Sequence, residues 1–270
     1  MPASAADAPC PEQAFNATAL KWHTCAWLLL PVLVFLAGWM YWYAALPLML
    51  LTAAGLAPRK CKEPQTRDSL PAFPLFTRSS FLALAAFAAL MTLSGWGEWV
   101  NQHPDHIVRN ACLRELVASP WPVIFPDGNM LVYNTGFWLV PALAGKLAGL
   151  DAARVLVVLW GTWGLFLAWL WLCVFSGHRS LLLALLMAAF GSLLNFQCWL
   201  GLDLFRLHYF GTAEQIMCSA NASIPVLLFF IFLASGRMPL PWIPLLFAAT
   251  AFYSPLAALG GLPLAACQWY

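Results

Sequence analysis

The feature that most constrains this chain is an apolar run, residues 26–57, that carries no charged side chain. As one α-helix rising about 1.5 Å per residue, this run would be about 48 Å long. A membrane crossing needs only roughly 20 apolar residues for about 30 Å of hydrocarbon. An aromatic cluster at residues 39–43 lies near the middle of the run, and such clusters favour the headgroup interface. The run therefore predicts a hairpin of two short spans that turns between Met40 and Ala44.

The composition excludes a water-soluble domain. Of the 270 residues, 62% are hydrophobic and 9% are charged, whereas soluble domains carry about 25% charged residues. The net charge is +2, and most lysines and arginines stand singly between apolar runs. Nucleic-acid binding needs clustered basic side chains on an exposed face. The composition thus predicts an integral membrane protein without a nucleic-acid partner.

The distribution of charge predicts the topology. The loop at residues 59–78 holds the densest group of lysines and arginines, so the positive-inside rule places it in the cytoplasm. The run 79–97 then crosses outward and leaves residues 98–129 on the extracytoplasmic side. Further apolar runs occupy residues 130–145, 155–175, 181–202, 216–235 and 238–270. We expect an all-α, polytopic transmembrane helical bundle of about eight spans.

The domain organisation follows from the same pattern. Residues 1–25 form a polar N-terminal tail that is expected to be retained, and residues 26–270 form a single transmembrane domain. After residue 130 the positive-inside rule gives no single topology. If every apolar run crosses the membrane in turn, the lysines and arginines at the ends of the spans fall on both sides. Asn134, Gly136 and Pro141 interrupt the pattern at residues 133–146, and a re-entrant segment there would return residues 201–221 to the outside. The sequence leaves both topologies open.

The outer loop at residues 98–129 is the candidate site because ionisable and polar side chains are unusually dense there. At mid-bilayer each charge would cost about 3 kcal/mol, so these side chains must face water, each other or a substrate. They are Glu98, His103, Asp105, His106, Arg109, Asn110, Arg114, Glu115 and Asp127.

A helix is predicted within this loop at residues 104–117. Pro104 suits the first helical position, and the Ser119-Pro120 pair stops the helix. Its apolar side chains could rest on the headgroup boundary, which makes it a juxtamembrane helix. They are Ile107, Val108, Ala111, Leu113, Leu116 and Val117.

One turn of this helix is predicted to present a carboxylate, an imidazole and an amide at the membrane surface. Asp105 and Arg109 are i,i+4 neighbours, as are His106 and Asn110. The alternative interpretation is a solvated loop with an ordinary exposed Asp–Arg pair. The residue types alone leave both interpretations open.

His103, Asp105 and His106 could also ligate a divalent metal. Their spacing is too short for one helical face, which disfavours a metal site without excluding it. The eight cysteines contain no Cys-x-x-Cys pair and mostly lie in or beside apolar runs. They are interpreted as small buried hydrophobic residues.

A second polar cluster lies between two apolar runs. It consists of Asp203, Arg206, His208, Glu214 and Asn221. This cluster has two interpretations. It is an interfacial loop whose charged side chains extend toward water, or it is the second half of a binding site. The residue types slightly favour the first interpretation.

Short motifs in a defined order carry a resemblance that spans residues 28–266. The chain resembles a group of mostly uncharacterised bacterial multi-pass membrane proteins whose layout is similar to the GT-C glycosyltransferases. The motifs are Ser94-Gly95-Trp96-Gly97, Gln102, Asp105, Asn110, Trp121-Pro122-Val123, Tyr133, Pro141-Ala142, Gly145-Lys146-Leu147, Gly201-Leu202-Asp203, Ser254-Pro255 and Leu262-Pro263.

The resemblance implies a reaction and a set of residues. In GT-C enzymes an acidic residue of the first outer loop handles the acceptor, and the sugar arrives on a polyprenyl phosphate. That role maps onto Asp105 as the catalytic residue, with Asp203 orienting the acceptor or a divalent metal. Substrate-binding positions are His106, Arg109, Asn110, Asp203 and His208.

The same resemblance implies a setting in the cell. The helix would roof a lipid-accessible hollow among the spans, in a bacterial inner membrane, with the cell envelope supplying the acceptor. Two other functions remain as alternatives. One is a transporter or flippase-like protein for a lipid or envelope precursor, and the other is a non-catalytic subunit that binds a larger membrane protein.

Overall fold

The computed structural model describes residues 17–57, 77–100, 102–190 and 211–269. In these ranges the chain is helical, and the extended backbone forms only one isolated bridge, between Ile124 and Met130. The all-α fold class is therefore confirmed. The helices are α1 Ala17–Trp39, α2 Trp42–Leu56, α3 Arg78–Leu93, α4 Pro104–Ala118, α5 Gly136–Ala148, α6 Leu150–Ser176, α7 Leu181–Ala189, α8 Thr212–Ala234, α9 Ile243–Tyr253 and α10 Pro255–Trp269.

Three of these helices are long and apolar enough to cross a membrane. They are Thr18–Trp39 in α1, Leu150–Ser176 in α6 and Thr212–Ala234 in α8. The other apolar helices, among them α2, α3 and α5, have 10–17 residues. The described part of the chain thus supports a membrane protein with three candidate spans, fewer than the eight predicted.

The predicted hairpin turn is present, whereas only its first arm, α1, is long enough to be a candidate span. Helix α1 ends at Trp39 and α2 begins at Trp42, so the turn falls within the predicted interval. Tyr41 and Trp42 are 75% and 78% exposed in the isolated chain. This exposure is typical of aromatic side chains that lie at a membrane interface.

Helix α6 is the centre of the bundle and contacts α1, α3, α5 and α8. Gly164 allows α1 and α8 to approach it closely. A Cβ atom at this position would lie 2.6 Å from Ile224 Cγ2 and 2.7 Å from Trp27 Cζ2. Since real Cβ contacts are longer, a larger residue at position 164 would force the three helices apart.

Trp27 fixes α1 against two other helices. Its ring stacks on Trp160 and on Tyr253, with centroid separations of 5.1 Å and 5.8 Å. Its Nε1 donates to the Trp160 carbonyl at 3.0 Å, and the Tyr253 hydroxyl donates to the Trp27 carbonyl at 3.1 Å. The Trp27 indole N–H and the Tyr253 hydroxyl are therefore satisfied within the apolar core.

Helix α5 packs against α4, α1 and α6. Near its start, Phe137 packs against Trp27 in the middle of α1. Near its end, Lys146 Nζ donates to the Ser119 carbonyl at 2.5 Å, just beyond α4. The re-entrant segment expected at residues 133–146 stays a prediction.

Helix α4 rests on the body of the bundle through its apolar side. Cys112, Leu113 and Leu116 are buried in the main hydrophobic core. Gly145 permits close contact with α5, because a Cβ atom there would lie 2.5 Å from Val117 Cγ2. Two residues expected at the headgroup boundary, Leu113 and Leu116, thus belong to the protein core instead.

Candidate functional site

The candidate site lies at the N-terminus of α4, which begins where the sequence predicts. His103 is the N-cap residue and Pro104 occupies the first turn. The Asp105 backbone N–H donates to His103 Nδ1 at 3.4 Å. The Asp105 side chain is 50% exposed, and its position in the first turn is favourable for a carboxylate in the helix field.

Arg109 is the buried partner of Asp105, as the predicted i,i+4 spacing requires. Its Nη2 lies 3.7 Å from Asp105 Oδ2, and its side chain is only 8% exposed. Nη2 also donates to the Ser219 hydroxyl at 3.3 Å, and the guanidinium lies 5.9 Å from the Trp96 ring centroid. Among the described residues, Nε and Nη1 have no hydrogen-bond partner. Asp105 is therefore a half-exposed carboxylate in contact with a buried arginine that still has unused hydrogen-bond donors.

His106 does not face the membrane surface, so the position predicted for its imidazole is wrong. The residue is 0% exposed, and its ring lies edge-on to Trp96 at a centroid separation of 5.3 Å. Neither ring nitrogen has a hydrogen-bond partner in the described part of the chain. Burial and, secondarily, the Arg109 charge lower the pKa of His106. The imidazole is a neutral core group rather than a surface ligand.

Asn110 is occupied by a contact within the protein. Its Nδ2 donates to Gln102 Oε1 at 2.7 Å, and Gln102 Nε2 donates to the Gly95 carbonyl at 2.9 Å. This chain of hydrogen bonds fixes the segment before α4 against the helix. Two further predicted binding residues, Asp203 and His208, lie outside the described residues.

Trp96 and the start of α8 complete the surroundings of Arg109. Neither was predicted from the sequence to belong to the site. Trp96 Nε1 donates to the Ile216 carbonyl at 2.8 Å. Helix α8 is broken at Ser219, whose φ of −153° and ψ of 42° are not helical. The Ser223 hydroxyl donates back to the Ser219 carbonyl at 2.9 Å, a bond that bends helices. The sequence contains two signals for this break, Ser223 four residues after Ser219 and Pro225 two residues later.

Glu98 forms a second carboxylate–arginine contact on the other end of α4. Its Oε2 accepts from Arg114 and from Arg154, both at 2.5 Å, and its side chain is 8% exposed. The φ of Glu98 is 68°, a left-handed value that is uncommon for a residue other than glycine. The two ion pairs join the segment before α4 to α4 and α6. The charges of Glu98 and Arg114 therefore face each other, one of the outcomes expected for residues 98–129.

The hollow expected beneath α4 is not found directly under this helix in the described part of the chain. His106, Arg109 and Cys112 on its inner side are buried against the bundle. Two grooves lie elsewhere. An apolar groove of about 630 Å³ between α3 and α6 is lined by Phe81, Leu156 and Trp163 among others. A mixed groove of about 400 Å³ is lined by residues that include Trp39, Tyr133, Asn134 and Phe252.

The outward side of α4 next to Asp105 is apolar. Ile107 and Val108 are 71% and 58% exposed and directly follow the turn that carries Asp105. In a chain with candidate membrane-spanning helices, exposed β-branched residues on a short helix are typical of contact with the lipid boundary.

No family model, curated protein or solved structure matches this chain.

Proposed function

We propose that this membrane protein is a GT-C-type glycosyltransferase that moves a sugar from a polyprenyl-phosphate carrier to an envelope acceptor. One observation carries the proposal: the half-exposed Asp105 carboxylate lies 3.7 Å from the buried Arg109 guanidinium. An acid for the acceptor and a cation for a phosphate are thus held one helical turn apart. The exposed Ile107 and Val108 beside them suit a substrate that carries a lipid chain.

The reaction would use the two side chains in separate roles. The acceptor hydroxyl attacks the anomeric carbon and forms the new C–O bond, while Asp105 takes the hydroxyl proton. The bond between the anomeric carbon and the phosphate oxygen breaks, and its electron pair leaves with the polyprenyl phosphate. The Arg109 charge offsets the negative charge that develops on this leaving group.

The proposal includes the finer topology of the chain. It places about eight crossings in a bacterial inner membrane and residues 98–129 on the extracytoplasmic side. The test is a pair of alkaline phosphatase fusions, after residue 66 and after residue 127. Activity in the second fusion alone is expected. Activity only in the first would place Asp105 in the cytosol and remove the proposed reaction.

The decisive experiment is Asp105→Asn in the purified full-length protein. The substitution removes the proton acceptor with little change in shape, so transfer of labelled hexose from polyprenyl-phosphate hexose to extracted envelope should fall by about 100-fold. Asp151→Asn is the matched control because Asp151 is 90% exposed at the start of α6. It should leave transfer within about twofold. Full transfer by Asp105→Asn would remove Asp105 as the base.

A further inference from the structure

Three side chains with different ligand atoms converge at the exposed end of α4. They are His103 Nδ1, an Asp105 carboxylate oxygen and Cys218 Sγ, and all three atoms lie within 4.8 Å of one another. His103 Nδ1 and Asp105 Oδ2 are 3.7 Å apart. Two of the ligands belong to the start of α4 and the third belongs to α8. This convergence is created by the tertiary structure and is absent from the sequence spacing.

This group differs from the three metal-ligand candidates that are close in sequence, His103, Asp105 and His106. His106 cannot serve as the third ligand because it is 0% exposed and packs on Trp96. Cys218 of α8 occupies the place beside His103 and Asp105 instead. His103 can take part because it is the N-cap residue, outside the regular helix, and is free of the helical face constraint.

We infer that His103, Asp105 and Cys218 form a three-ligand zinc-type site with its fourth position open to solvent. Imidazole nitrogen, carboxylate oxygen and thiolate sulfur are the protein ligands that Zn²⁺ takes. The thiolate disfavours Mg²⁺ and Ca²⁺, which prefer oxygen ligands. Three protein ligands with one open position are typical of a zinc ion that binds water or a substrate.

The distances require only a small rearrangement. With bonds of about 2.0–2.1 Å to nitrogen and oxygen and about 2.3 Å to sulfur, ligand atoms around a tetrahedral ion are about 3.3–3.6 Å apart. The His103–Asp105 separation of 3.7 Å exceeds the nitrogen–oxygen value by about 0.4 Å. No separation in the cluster exceeds 4.8 Å, so none must shorten by more than about 1.5 Å. Side-chain rotation supplies this because the His103 and Asp105 side chains are 41% and 50% exposed.

The lone pair of His103 already faces the cluster. Its Nδ1 accepts from the Asp105 N–H at 3.4 Å, so the proton of a neutral ring lies on Nε2. Coordination would replace a long hydrogen bond with a metal bond. Asp105 Oδ2 lies 3.7 Å from both His103 Nδ1 and Arg109 Nη2, so Oδ2 would bind the metal and Oδ1 would remain the base of the proposed reaction. Arg109 would then support a ligand from behind, as groups next to metal ligands commonly do.

The break in α8 determines where Cys218 lies. Cys218 directly precedes Ser219, where the backbone leaves the helical conformation. The Ser219 hydroxyl accepts from Arg109 Nη2 at 3.3 Å, which joins this part of α8 to α4. The irregular turn places a half-buried sulfur beside the α4 residues.

The test is a cobalt titration of the full-length, tag-free protein in detergent. Co²⁺ replaces Zn²⁺ in such sites, and a cobalt–thiolate bond gives a charge-transfer band in the near ultraviolet. Wild-type protein should bind one Co²⁺ per chain with this band, and Zn²⁺ should displace it. Cys218→Ser should remove the band, and His103→Ala should weaken cobalt binding by at least about tenfold.

Matched controls come from residues outside the cluster. Cys267 is an exposed cysteine of α10, and His178 is exposed after α6. Cys267→Ser and His178→Ala should leave the band and the affinity unchanged. The inference is overturned if wild-type protein shows no band, if Cys218→Ser keeps it, or if Cys267→Ser removes it.

The readout separates this site from the proposed reaction. If Cys218→Ser does not fold, as judged by size-exclusion elution, the affinity of His103→Ala decides alone. Cobalt binding is measured without any sugar donor, so it can succeed where sugar transfer fails. Transfer without cobalt binding would keep the transferase and remove the metal site.

Discussion

Helix α4 carries two carboxylate–arginine contacts, and their difference separates a structural contact from a candidate functional one. At Glu98 the carboxylate is 8% exposed and one oxygen accepts from two arginines at 2.5 Å. At Asp105 the carboxylate is 50% exposed and a single arginine lies at 3.7 Å. The cation is the buried partner at Asp105, whereas the anion is the buried partner at Glu98. Glu98 is thus closed to ligands, and Asp105 is open to them.

The largest expected difference concerns the two arginines. Arg109→Gln removes the buried guanidinium beside Asp105, so sugar transfer should fall by about 100-fold if its charge stabilises the departing phosphate. Arg114→Gln, on the same helix, removes one partner of Glu98 and should leave transfer within about twofold. Initial rates with polyprenyl-phosphate hexose measure both. Equal losses in the two variants would show that the two contacts are alike in function.

A second difference is expected in stability. Glu98→Gln removes the negative charge that Arg114 and Arg154 share. It should lower the free energy of unfolding by about 2 kcal/mol, reduced from the range for fully buried pairs because both arginines are partly exposed. Asp105→Asn should lower it by less, about 1 kcal/mol, because the carboxylate is half exposed, although the substitution removes the counter-charge of the buried Arg109. Denaturant unfolding in detergent measures the two values. A larger loss of unfolding free energy in Asp105→Asn than in Glu98→Gln would contradict a structural role for the Glu98 contact.

The smallest effect concerns pH and His106. Because burial lowers the pKa of His106, the unfolded chain binds this proton more readily than the folded chain does. Stability should therefore fall as the pH drops below about 6.5, by at most about 1.4 kcal/mol per pH unit for one group. His106→Asn should remove this component, and His178→Asn should retain it. Identical slopes for wild type and His106→Asn between about pH 6.5 and 5.5 would contradict the neutral imidazole.

Much of α4 was predictable because its signals are local. Pro104 and the Ser119-Pro120 pair define its ends, and the structure places it at Pro104–Ala118. The Asp105–Arg109 contact follows from i,i+4 geometry alone. The hairpin turn between α1 and α2 was likewise predictable, since a long apolar run with a central aromatic cluster has few other solutions.

The orientation of α4 about its own axis was not predictable. The helix is amphipathic in two directions, with Ile107 and Val108 exposed and Leu113 and Leu116 buried. Its polar residues also divide, because His106 and Arg109 turn inward while Asp105 turns outward. A pattern of apolar residues cannot rank two apolar sides when one meets protein and the other meets lipid, because both are favourable environments.

The sequence by itself determined that this is an all-helical membrane chain, where α4 begins and ends, and that Asp105 and Arg109 meet. These results depend on composition and on neighbours within four residues. Only the tertiary structure decided that His106 is buried, that Glu98 joins two arginines, and that Cys218 lies beside His103 and Asp105. Each of these contacts joins segments that are distant in the chain or depends on which side of a helix packs. Interactions between neighbouring residues determine neither of these.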